Sequence, residues 1–133
     1  MALSQDTEDA LLAWLLGAPF PAPSAQTWLA LHDGDQPAAA NEIKGWAGGD
    51  RLLISADDFS APTAAPGGGR QRVNTRALLL GVHSAAQTVR SFALWNAPVG
   101  GSFLVGGAVS PALTVQVGDP PVFLTGCLAL RSL

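Results

Sequence analysis

Charge is scarce in this 133-residue chain: 13% of its residues are Asp, Glu, Lys or Arg, ten acidic against seven basic, giving a formal charge of −3. Such a chain has no field to draw a phosphate backbone, so nucleic acid is not an expected partner. The charge also falls below the roughly one quarter that keeps a small monomer well dissolved, which points to apolar surface covered by other subunits. A single cysteine, Cys127, cannot form an internal disulfide. No uninterrupted apolar run approaches the roughly 18 residues of a spanning helix. Gln5, Asp6, Glu8 and Asp9 occupy the N-terminal stretch where an export signal needs positive charge. No membrane partner is expected, and the chain is expected to stay in the compartment where it is made. Internal repeats are missing too, which argues against a solenoid or propeller.

What remains is 48% hydrophobic, with 15 glycines and 10 prolines. That composition and length predict one folded domain with a single core. Residues 4–16 predict the one short helix: Ser4 or Asp6 caps it, acidic residues fill its first turn, and Leu11, Trp14 and Leu15 follow at helical spacing. Gly17 and Pro19 stop it. Leu12 and Leu16 widen its apolar face, which calls for cover, either from the chain's own body, the ordinary case, or from a partner. Residues 20–25 hold two prolines, directly after Pro19, and read as a linker. The expected division is therefore residues 1–25 as helix and linker and 26–133 as a β-domain.

From Thr27 the pattern changes to short extended runs separated by Gly and Pro. Candidate strands are 27–32, 51–55, 77–82, 89–96, 103–105, 113–117 and 122–130, with Ser110-Pro111 among the separators. In the run 89–96, alternation places Phe92 and Leu94 on one face and Val89, Ser91, Ala93 and Trp95 on the other. About seven or eight short strands predict an all-β fold, a β-sandwich or jelly-roll-like body. Residues 34–50 and 56–76 read as long loops of the kind that carry function or outside contacts.

Few groups are available for chemistry. His32-Asp33-Gly34-Asp35 could offer oxygen ligands to a hard cation, yet it lacks the ligand series of a calcium loop, and a turn ending a strand is the preferred reading. His83 and Ser84 are adjacent, which in an extended chain sends them to opposite faces. Cys127 reads as a buried, apolar thiol. Gly67-Gly68-Gly69-Arg70 lacks the lysine and hydroxyl of a phosphate loop and reads as flexible backbone. No catalytic pair, cofactor site or metal site is expected, and the chain is not read as an enzyme.

Contact residues are the better prospect. Arg70, Arg72 and Arg76 form the one basic cluster, suited either to ion pairs with a neighbouring subunit or to a solvated strand edge. Trp28 and Trp95, on strands, predict core positions, whereas Trp46 sits among loop glycines and is the candidate for an exposed contact. The candidate interface set is Leu11, Leu12, Trp14, Leu15 and Leu16 on the helix, with Trp46, Arg70 and Arg72.

Two blocks resemble a known family. Thr27-Trp28-Leu29-Ala30-Leu31-His32-Asp33-Gly34-Asp35, then Asn41-Glu42-Ile43 and Gly45, is similar to the opening of small bacteriophage structural proteins usually labelled tail-fibre proteins. Arg90-Ser91-Phe92-Ala93-Leu94-Trp95-Asn96-Ala97, then Gly100-Gly101, Phe103-Leu104, Gly107-Ala108-Val109 and Val117-Gly118-Asp119, agrees in order and spacing with their second half. The chain departs from them where Gly49 stands two places before Arg51, a position that is aromatic in typical members.

The resemblance implies a non-enzymatic virion component with a β-sandwich body, made in the host cytoplasm. A sandwich of this size, without heptads or shaft repeats, suits clamping other subunits better than spanning a distance. The leading expectation is therefore a capsid decoration, or cement, protein, homotrimeric and bound to the major capsid protein. The alternatives are a small tail-fibre or baseplate component bound to tail proteins, and, from another class, a carbohydrate-binding module contacting a host glycan through Trp46.

Overall fold

The computed structural model describes residues 2–19 and 26–131. Ten strands and one α-helix are found among them: β1 (Ala2–Leu3), α1 (Gln5–Leu15), β2 (Thr27–His32), β3 (Leu52–Ile54), β4 (Thr63–Ala64), β5 (Arg70–Val73), β6 (Leu78–Leu79), β7 (Gln87–Trp95), β8 (Phe103–Val115), β9 (Val122–Phe123) and β10 (Ala129–Arg131). Single 3-10 turns lie at Ala39–Asn41 and Ala56–Asp58. The expected linker 20–25 lies outside the described residues.

Alternation along β2 and β7 builds the main sheet. Its order is β1-β8-β7-β2-β3, and every described pairing in it is antiparallel. Leu29 stands opposite Leu94 and Leu31 opposite Phe92, so one face of the pair is a continuous apolar surface. Two smaller sheets, β10-β5-β4 and β6-β9, lie across that face. Phe59, Leu78, Leu80, Phe123 and Leu128 from this second layer pack with Leu29, Leu31, Phe92 and Leu94 in one buried cluster. The fold is thus an all-β, sandwich-like body with one short helix.

Several sequence expectations are corrected by turn and bulge geometry. Val89 joins the Phe92 and Leu94 cluster instead of the opposite face, because the β7–β8 register shifts between Val89 and Ser91, two residues on β7 against five on β8, and this irregularity breaks the alternation. Ser110-Pro111 does not separate two strands. β8 is continuous, and its pairing with β7 jumps from Ala108 to Leu113, so the proline falls in a bulge where no ladder bond is lost. The expected strand 122–130 is broken by a turn at Gly126 (φ 83°), closed by the Cys127 amide on the Leu124 carbonyl, 3.0 Å. Cys127 is consequently exposed, not buried.

The supposed loop 56–76 contains the β4–β5 hairpin. Gly67, Gly68 and Gly69, all at positive φ, form its turn, with the Ala65 amide bonded to the Gly69 carbonyl. β5 runs between β10 and β4 and is not an edge, so the arginines do not guard one.

Asn74 ties the second layer together. Fully buried, it donates from Nδ2 to the Phe123 and Leu124 carbonyls (3.3 and 2.9 Å) and accepts the Leu128 amide at Oδ1 (2.9 Å). These bonds satisfy backbone groups of a segment too irregular to pair within a sheet.

Candidate interaction surface

The helix forms where its caps place it. Ser4 is extended (φ −65°, ψ 155°) and its Oγ accepts the Thr7 amide at 3.2 Å, while Asp6 and Glu8 sit in the first turn beside the positive end of the helix dipole. At the far end Gly17 takes φ 101°, and its amide and that of Ala18 bond the carbonyls of Trp14 and Ala13. The start of α1 is stitched to the body by backbone alone: β1 pairs with β8, and the Ser4 amide donates to the Leu104 carbonyl at 2.9 Å.

Self-packing does not cover the helix. None of its residues is buried, and Leu12, Trp14, Leu15 and the capping Leu16 are 60, 51, 64 and 91% exposed. The ordinary expectation, burial against the chain's own body, is therefore corrected. Leu11 lines a groove of the body, where it faces Leu3, Pro62 and Leu130.

That groove has a volume of about 370 Å³, and Arg70, Gln71, Arg72 and Arg131 complete its wall. A second groove of about 220 Å³ opens between the layers beside it, lined by Thr27, Ile54, Phe59 and Leu94 and sharing Arg72 and Leu130 with the first. Leu130 is only half-buried, as are Val105 and Val109. The sandwich is thus imperfectly filled on the flank nearest α1.

Of the three arginines, Arg72 is anchored internally: Nε donates to the Ser60 carbonyl at 2.6 Å and Nη2 to Ala56 O at 3.1 Å. Arg70 donates to the Pro62 carbonyl at 3.0 Å. Arg76 leaves the cluster and pairs with Asp58. Its guanidinium holds the Asp58 carboxyl below the usual carboxylate range, and Asp58 in turn raises Arg76.

Trp46 is the clear miss among the candidate contacts. It is 3% exposed, with Nε1 donating to the Ile43 carbonyl at 3.1 Å and its ring in edge contact with His83, 5.0 Å between centroids. A buried indole cannot stack on a sugar. Its loop closes because Gly81 lets the backbone of Ala47 approach, where a Cβ would lie 1.9 Å from the Ala47 oxygen. Trp95 is in the core as expected, and Trp28 is half-buried.

The His32–Asp35 segment is a strand-ending turn, closed by the Asn41 side chain. Asn41 Oδ1 accepts from His32 Nδ1 at 2.8 Å and from the Ala38 amide at 2.9 Å, and its Nδ2 donates to the Gln36 carbonyl at 2.9 Å. Among the described residues no group of three or more His, Cys, Asp or Glu side chains is placed to hold a metal ion. Burial lowers the His32 pKa, against the opposing influence of Asn41.

Sequence reasoning also passed over Arg51. Its guanidinium grips Glu42 with two bonds of 2.8 Å and donates to the carbonyls of Ala97 and Gly100 at 2.7 and 2.8 Å, lying 4.3 Å over the Trp95 ring. Both partners of the ion pair are almost wholly buried. The available signal was a single arginine opening the candidate strand 51–55.

Residues 2–131 match the family described as Podophage GP4 fiber I protein gp80. The chain belongs to that family. It is accordingly a bacteriophage virion structural protein of the fibre type, as the resemblance led us to expect, and the match favours the tail-fibre alternative over capsid cement. No curated protein matches the chain. None of the helices among the described residues is long and apolar enough to cross a membrane.

Proposed function

We propose that the protein is a small, non-catalytic component of the tail-fibre apparatus that works by contact, both with copies of itself, as a homotrimer, and with other tail proteins. The family match across residues 2–131 carries this reading. The apolar residues of α1, left largely exposed by the body that follows them in sequence, supply its physical means. The helix side is the part with surface to cover.

Immunogold labelling of intact particles with antibody raised against the purified chain tests the assignment. Label at the tail is the expected result. Label distributed over the capsid faces would restore the cement reading, and particles that lack the chain altogether would end both.

A further inference from the structure

We propose that α1 of one copy docks into the grooves beside α1 on the next copy, a head-to-tail contact that builds a closed ring. The proposal names the partner for the contact surface above and rests on that reading of α1.

Charge complementarity and area argue for it. The helix carries Asp6, Glu8 and Asp9 and no basic residue. The two grooves are walled by Arg70, Arg72 and Arg131 and by no acidic residue. The arginines keep their internal bonds in the docked state, so what counts is their summed charge at the groove wall. Beyond its acidic turn the helix exposes Leu12, Trp14, Leu15 and Leu16, on the order of 500 Å² of largely apolar surface against about 800 Å² per partner in a standard interface. The groove floor offers matching apolar atoms from Leu3, Pro62 and Leu130. Each copy therefore holds an acidic, apolar projection and a basic, apolar recess. A helix and its adjacent groove cannot fill each other within one chain, because Leu11 already fixes the helix as a wall of that groove. Two different surfaces that pair between copies make a heterologous interface, which builds a ring when the rotation between copies closes.

Sedimentation of the full chain at micromolar concentration gives the readout. The wild type is expected as one species larger than a dimer of the 13.6 kDa chain. Leu12→Gln with Leu15→Gln removes the projection, and Arg70→Glu with Arg131→Glu inverts the recess. Each double variant is expected to be monomeric, and an equimolar mixture of the two is expected to form a one-to-one dimer and stop there. A wild type that is monomeric or dimeric overturns the proposal, as does a mixture that stays monomeric or variants that still assemble. If a variant fails to fold, the salt dependence of the wild type decides: about tenfold weaker association at high than at low ionic strength supports the pairing, and indifference to salt refutes it. A monomeric chain that still labels the tail would overturn self-docking, and the homotrimer with it, while leaving the fibre assignment standing, whereas a ring absent from the tail would overturn the fibre assignment alone.

Discussion

Around Arg51 a buried cation has four protein acceptors and an aromatic face, all contributed by the same chain. Around α1 the polar groups are caps and backbone bonds, and four large apolar side chains face solvent. The first region joins the Glu42 segment, the start of β3 and the 97–100 turn into one block through bonds made within the chain. The second is locally well formed but incomplete. In a chain with so few charges, an apolar helix left open is a strong reason to look for a partner, because around Arg51 the same sequence buries an ion pair with its acceptors in place.

Arg51→Ala should have the largest effect. It strands a buried Glu42 carboxylate and two carbonyls, and is expected to cost about 3–5 kcal/mol in denaturant unfolding. Arg51→Lys should recover only part of this, since an ammonium cannot grip the carboxylate with two parallel bonds. A loss below about 1 kcal/mol for Arg51→Ala, the level of an exposed ion pair, would remove the contrast between the two regions.

The parts of the fold legible in the sequence were those decided locally. Ser4, the acidic turn and Gly17 mark α1 within a residue at each end, and the apolar spacing of 27–32 and 89–96 finds the two central strands because a strand's period is its own property. Arg70–Val73 was missed because Arg-Gln-Arg-Val has no apolar alternation, and its pairing comes from the Gly67–Gly69 turn and from β10, far along the chain. Trp46 looked exposed because its neighbours are glycines. What buries it is His83 and the close approach of Gly81, 35 residues away in sequence. For the contact surface the sequence supplied the helix residues and two of the groove arginines. It could not supply the groove, which exists only once β5 and β10 pair beside Leu3 and Leu11.

Acid should sharpen the comparison with a smaller effect, because the groups it strikes lie in the self-sufficient body. Burial lowers the folded-state pKa of His32, so its neutral form contributes stability that is complete above about pH 6.5, the unfolded value, and is lost as pH falls toward the folded value. Asp58, also lowered, contributes above about pH 3.9 and loses that contribution as pH falls further through its folded value. Thermal melts from pH 7.5 to 5 should therefore fall for the wild type and fall less steeply for His32→Gln. Equal slopes would mean that His32 is not what acid attacks.

The smallest expected effect is the most telling. Leu16→Gln changes a residue that is 91% exposed, and should shift the unfolding free energy of a dilute, dissociated sample by no more than about 0.5 kcal/mol. A substitution is a better probe here than truncation, since removing residues 1–17 would also strip β1 from β8 and uncover a strand edge, confusing a lost contact with a damaged sheet. If Leu16→Gln instead cost as much as a core replacement, about 2 kcal/mol or more, the helix would be packing against its own chain. The division between a finished body and an open helix would then fail. A near-neutral result assigns the apolar character of Leu12, Leu15 and Leu16 to contacts between molecules, because a side chain that contributes nothing to folding is otherwise exposed at a cost in solubility.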